Sequence, residues 1–158
     1  MRRFLGRCKD SFEAYTRFEQ GYTQSQFLSK ALFGQGWALE NLTRHKDAIA
    51  AYQRVIERGK FDESTARSQF QIGECLYALK DCDKAIKALM KVEVLYDWPE
   101  WSSKALLEAG RALEQLNKRK EARERYEELI KKYPASDAAT VARQKAEALK
   151  DVKEEQNS

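Results

Sequence analysis

GECLYALKDCDKA, Gly73 to Ala85, recurs in frame upstream as GWALENLTRHKDA, Gly36 to Ala48, and downstream as GRALEQLNKRKEA, Gly110 to Ala122. The glycines stand at 36, 73 and 110 and the alanines at 48, 85 and 122, so both columns advance by 37 residues. A fixed period of this length marks a stacked array of one supersecondary unit and takes precedence over any local reading. Within the frame, Ile72, Leu76 and Leu79 fall at helical spacing on one face, as do Leu39 with Leu42 and Leu113 with Leu116. Each set marks an amphipathic helix, and Leu76 and Leu79 are expected to be buried. Four polar residues follow each helix, Thr43 to Lys46, Lys80 to Asp83 and Asn117 to Lys120, and then comes a second apolar run such as Ala85, Ile86, Leu89 and Val92. The unit is a helical hairpin. Glycine costs about 1 kcal/mol in a helix interior, so three in register imply close approach of the partner helix. Ala48, Ala85 and Ala122 are expected to supply the small surface opposite.

These residues resemble the tetratricopeptide repeat, a two-helix unit with a Gly in its first helix, an Ala twelve residues on and an aromatic four after that. The aromatic position holds Tyr52, Leu89 and Tyr126, the family's usual Tyr is Leu39, Leu76 and Leu113, and its terminal Pro stands only at Pro134. The stretch YPASDAA, Tyr133 to Ala139, is similar to junctions in extracytoplasmic bacterial tetratricopeptide proteins of the TolA-binding and outer-membrane-assembly types. The resemblance implies an all-α fold, a right-handed α-solenoid of helical hairpins, acting as a protein-interaction scaffold.

Carried back by 37 residues, the frame puts Leu5 in the column of Leu42, Leu79 and Leu116, and Tyr15 in that of Tyr52, Leu89 and Tyr126. Residues 1–24 are therefore expected to form a partial repeat: the end of a first helix, a loop at Gly6 to Lys9, and a second helix from Asp10 to about Gln20. Three hairpins are expected over 25–135, a closing helix over 136–150 and a disordered tail over 151–158. Asp62 and Ser136 suit helix N-caps and Pro99 a first helical position. In the partial repeat, Phe12, Tyr15 and Phe18 project toward a first helix outside the chain and leave an apolar patch. The expected cover is a second copy, giving a homodimer through the N-terminal helix, or a preceding repeat in a longer parent.

Charged residues make up 34% of the chain against 42% hydrophobic, which suits a densely helical protein with a solvated surface. No stretch is long enough to span a membrane, and MRRFLGRCKD lacks the apolar core of a secretory signal. The sequence as written is expected in the cytoplasm, or in the periplasm if it is part of a longer exported protein. Its net charge of +4 comes from 29 basic and 25 acidic residues, too small an imbalance to argue for nucleic acid. The three cysteines fit no zinc spacing. Cys8, His45 and Cys82 share one repeat position, but successive helices pack about 8–10 Å apart while zinc needs its ligands within about 2.0–2.3 Å. The single histidine lies in a loop and the glycines occur singly inside helices, so neither a catalytic constellation nor a phosphate-cradling loop is present. No cofactor and no enzymatic activity are expected.

The binding signal lies on the first-helix face opposite the leucines, which in this family lines the concave groove. Its residues are Lys30, Phe33, Trp37 and Asn41, then Arg67, Phe70, Glu74 and Tyr77, then Lys104, Leu107 and Arg111. Lys30, Arg67 and Lys104 make a basic column, with Phe33, Phe70 and Leu107 an apolar one beside it. Large aromatic and basic residues dominate binding energy at interfaces. The expected ligand is an anionic or amphipathic peptide or protein segment. The family's carboxylate clamp is absent, since Asn41 stands alone and Glu74 replaces an amide. The other reading is a nucleic-acid-binding array, with Arg67, Lys104 and Arg111 on phosphates and Trp37 and Tyr77 stacking on bases.

Overall fold

A computed structural model describes residues 2–23, 27–58 and 62–150; the expected tail at 151–158 lies outside them. The described residues form helices and turns without a strand. The helices are α1 Arg2–Gly21, α2 Leu28–Asn41, α3 His45–Glu57, α4 Glu63–Ala78, α5 Cys82–Leu95, α6 Pro99–Gln115, α7 Arg119–Lys132 and α8 Asp137–Ala148. The chain divides into two compact units, Met1–Asp81 and Cys82–Ser158. In the first, α1 packs on α2, α2 on α3 and α3 on α4, with α2 also touching α4. In the second, α5 packs on α6, α6 on α7 and α7 on α8, with α6 also touching α8. Within each unit, neighbours in sequence are neighbours in space, as the short turns require. The second unit's core gathers Leu106, Leu113, Tyr126, Leu129 and Ala142.

The helix starts follow their chemistry. The Asp62 carboxylate accepts from the Thr65 N–H at 3.1 Å, and the Ser136 hydroxyl oxygen accepts from the Ala139 N–H at 3.1 Å. Pro99 opens α6, where its missing N–H leaves no helical bond unmade. α8 buries Ala142 and Ala146, while Leu149, one residue past its end, is half-buried.

The turns are tighter than their sequences suggest. Thr43, Lys80 and Asn117 all take positive φ, between 59° and 65°. The following N–H, of Arg44, Asp81 or Lys118, donates back to the carbonyl of Leu39, Leu76 or Leu113 at 2.9–3.0 Å. This is the left-handed helix stop that glycine usually occupies. The second helices consequently begin at His45, Cys82 and Arg119, inside the runs expected to be loop. Thr43 is the least suited to its conformation, because a β-branched residue at positive φ is strained. Thr43→Gly is therefore expected to raise stability by about 1 kcal/mol, read as an upward shift of the urea midpoint. An unchanged or lowered midpoint would contradict that strain.

Three expectations need correcting. The loop at Gly6 to Lys9 does not form, and α1 runs unbroken from Arg2 to Gly21. Breaking the helix there would forfeit backbone hydrogen bonds that the unbroken helix keeps. Leu76 is half-buried and Leu79 is 38% exposed. Leu79 is the C-cap of α4, where the chain is already leaving the packed face, so its truncation removes less buried area than a core leucine would. At Gly36 and Gly110, finally, the atoms nearest an added methyl belong to tyrosine rings and not to the alanine column. A methyl on Gly36 would lie 2.5 Å from the Tyr52 ring, and one on Gly110 would collide with the ring of Tyr126. Gly36 and Gly110 each make room for the tyrosine of their own hairpin.

Candidate functional site: the first-helix face

In the first unit, Lys30, Phe33 and Trp37 lie along α2 at helical spacing and so share one face. Lys30 is exposed, and Trp37 leaves 44% of its surface in solvent. Phe33 is half-buried, its ring tilted against Tyr52 at 5.2 Å between centroids. Arg67 reaches across from α4 and places its guanidinium 4.4 Å from the Phe33 ring centre. This cation–π stack leaves a basic group over an aromatic platform, next to an exposed indole on the same helix. The Lys30 ammonium lies 5.9 Å from the ring centre of Phe27, itself 52% exposed. Asn41 is used internally, its amide donating to the Trp37 carbonyl at 2.8 Å. Tyr77 is half-buried beneath the Lys80 ammonium at 6.0 Å.

Phe70 is only 8% exposed and Leu107 only 7%, so the apolar column expected beside the cations belongs largely to the interior. Leu107 joins the core around Tyr126 and Leu129. First helices pack on two neighbours and so bury a wider arc than a two-sided reading of the sequence allows. Glu74 is half-buried, and its charge helps raise the pKa of the buried Cys75 thiol to about 12, after burial itself and the charge of Glu40.

The second unit's candidates are engaged within the fold. Lys104 donates to Glu100 at 2.7 Å and lies 4.4 Å from the Trp101 ring centre. Arg111 donates to Glu108 at 2.5 Å. Burial raises the pKa of Glu108 against the charge and hydrogen bond of Arg111. A cleft of about 610 Å³ opens where α6 and α8 begin, lined by Lys104, Lys132, Tyr133, Ser136 and Asp137 among others. Its lysines are also paired, Lys132 with both Glu93 and Glu128. Among the aromatic and cationic candidates, Lys30, Trp37 and Arg67 on α2 and α4 are exposed, whereas Lys104 and Arg111 are half-buried.

Two tyrosine–carboxylate pairs escape a column-by-column reading. The Tyr52 hydroxyl donates to Glu40 at 2.9 Å, and Gln71 donates to the same oxygen at 2.8 Å. Tyr126 donates likewise to Glu114, which also accepts from Lys145 at 2.8 Å. In each case the carboxylate ties its own helix, α2 or α6, to the second helix of the same hairpin and to the helix after that, α4 or α8. Covarying columns carry the signal: where Glu40 and Glu114 become Tyr77, Tyr52 and Tyr126 become Leu89, which cannot donate. Glu40 and Glu114 thus serve the hairpin contact.

At Glu114 burial raises the pKa, but the hydrogen bonds from Lys145 and Tyr126 and the charges of Lys145 and Arg111 together hold it below the ordinary 4.5. A folded-state pKa below the unfolded one means the pairing stabilises fully above the unfolded value and is lost as pH falls through the folded one. The stability difference between wild type and Glu114→Gln is expected to shrink as pH drops below 4.5, tracked by urea unfolding in acid. A constant difference across that range would rule the pairing out as its source.

Stacked hairpins with tyrosine–glycine contacts and an exposed aromatic and basic face define a helical-repeat interaction protein. Tetratricopeptide repeat models match residues 29–99 and 104–136, and the chain belongs to that family. Solved structures share the fold at low identity. A tetratricopeptide repeat protein from Parabacteroides merdae aligns with a TM-score of 0.72 at 14% identity, over 91% of this chain and 54% of its own. This chain therefore spans about half of that protein. MamA aligns with a TM-score of 0.68 at 18% identity, over 93% of this chain and 86% of its own. No curated protein matches the sequence at a significant level. The fold class is an all-α solenoid, and the family's general role is that of a non-catalytic scaffold for protein partners.

Proposed function

We propose that the chain is a non-enzymatic scaffold whose α2 and α4 face holds a segment of a partner protein bearing acidic and apolar side chains. The observation that carries this is the Arg67 guanidinium over Phe33, beside an exposed Trp37 and Lys30. An indole and a stacked guanidinium offer large contact area at small entropic loss, and the cations set a preference for carboxylates. A spotted library of synthetic peptides, probed with the full chain, tests it. Peptides combining Asp or Glu with aromatic or aliphatic residues are expected to dominate the binders, and Trp37→Ala and Arg67→Glu to lose them while keeping the helical circular dichroism. Equal capture by all three proteins would remove the α2 and α4 face from consideration. A labelled single-stranded oligonucleotide titrated alongside is expected to bind weakly; tight binding with a steep salt dependence would instead establish the nucleic-acid reading.

A further inference from the structure

The solvent side of α5 departs from that of the other second helices. Its buried face is ordinary, with Ala85, Ala88, Leu89 and Val92 inside. On the other side Lys87, Lys91, Val94 and Leu95 follow at helical spacing, and all four are exposed. Val94 is 71% exposed and Leu95 53%, while Trp98, just beyond the helix, is 37% exposed. The positions 37 residues before Val94 and Leu95 hold Glu57 and Arg58, and those 37 residues after hold Lys131 and Lys132. A column that carries charges in two hairpins is thus apolar in the middle one. Single exposed apolar side chains are ordinary surface, but two adjacent ones with a tryptophan close behind make a patch of the kind that association covers. α5 lies between α4 and α6 in the chain, so this is not the open side of a terminal helix.

The charges beside the patch indicate what covers it. Lys91 stands three residues before Val94 and Asp97 three residues after it. Both are exposed, and neither side chain has a hydrogen-bond or ion-pair partner among the described residues. Their counterparts differ: in the column of Lys91, Arg54 pairs with Glu19, and Glu128 pairs with Arg125 and Lys132. A two-fold interface repeats each contact with the roles exchanged. Two α5 helices laid antiparallel, with the axis at Val94, set Val94 and Leu95 against the same pair of the second copy and bring each Lys91 alongside the other's Asp97. The apolar centre is closed and the flanking charges are paired at a polar rim, the usual arrangement of an interface. Parallel packing would instead set Lys91 on Lys91 and Asp97 on Asp97. We propose that the chain pairs with a second copy of itself through this side of α5, antiparallel, with Lys91 and Asp97 exchanged across the two-fold axis.

Sedimentation equilibrium of the full chain over a range of concentrations tests it. The wild type is expected to dimerise. Leu95→Lys, which copies the residue that α7 carries in that column, is expected to be monomeric with its helical circular dichroism kept. Lys91→Asp and Asp97→Lys each set like charges together, and each should weaken the dimer about tenfold or more. The combined Lys91→Asp, Asp97→Lys chain restores opposite charges at both contacts, and its dimer should return to within about threefold of the wild type. Rescue of that kind requires the two residues to meet across the interface. A monomeric wild type, a dimer that Leu95→Lys leaves intact, or a combined variant no tighter than the single ones overturns the proposal.

Discussion

Gly110→Ala is expected to destabilise the chain by about 2 kcal/mol, although alanine is the better helix former. The propensity gain is about 1 kcal/mol. Against it stands a new methyl group driven into the ring of Tyr126, a side chain with no exposed surface and no room to swing. Overpacking a filled interior costs about 1–3 kcal/mol and occasionally more, and a clash with a fixed ring lies at the upper end. Combining it with Tyr126→Leu, the residue type that the middle repeat carries at Leu89, should destabilise by less than the sum of the two single changes. Urea unfolding of the four proteins supplies the cycle. Additive losses, or a stabilising Gly110→Ala, would mean that the glycine column serves something other than the ring.

Tyr52→Ala should be costlier still, about 3–5 kcal/mol, since it empties the volume of a fully buried ring. Tyr52→Phe keeps the ring and removes only the hydroxyl that donates to Glu40. Glu40 retains the bond from Gln71, so the loss should be about 1 kcal/mol, the net worth of one hydrogen bond. Together the two variants separate packing from polar pairing. If phenylalanine proved as damaging as alanine, the hydroxyl would contribute most of the stabilisation and the ring's fit over Gly36 would be secondary. Burial and the adjacent Glu40 carboxylate both raise the pKa of the Tyr52 hydroxyl, which keeps it a donor throughout the physiological range.

The expected self-association through Phe12, Tyr15 and Phe18 is narrowed by the packing of α1. Tyr15 is partly spent on Gly34, Phe12 lies 6.0 Å beneath the Arg44 guanidinium, and Phe18 stacks on Tyr22 at 5.0 Å.

The sequence by itself determined the unit and its repetition. A 37-residue period in glycine and alanine, with leucines at helical spacing and caps at Asp62, Pro99 and Ser136, leaves a helical hairpin as the one unit that satisfies all of them. These signals are local or periodic, and each acts through the backbone or through one face of one helix. The tertiary structure alone decided which side chain fills which space. Spacing could place Phe33 and Phe70 in one column, but exposure depends on how many neighbours a helix has, so Phe70 went inside while Phe33 stayed at the surface beneath Arg67. Similarly, nothing local distinguishes alanine from tyrosine as the occupant opposite a glycine. The distance between two helix axes fixes that choice, and here the gap left by Gly36 and Gly110 is filled by an aromatic ring.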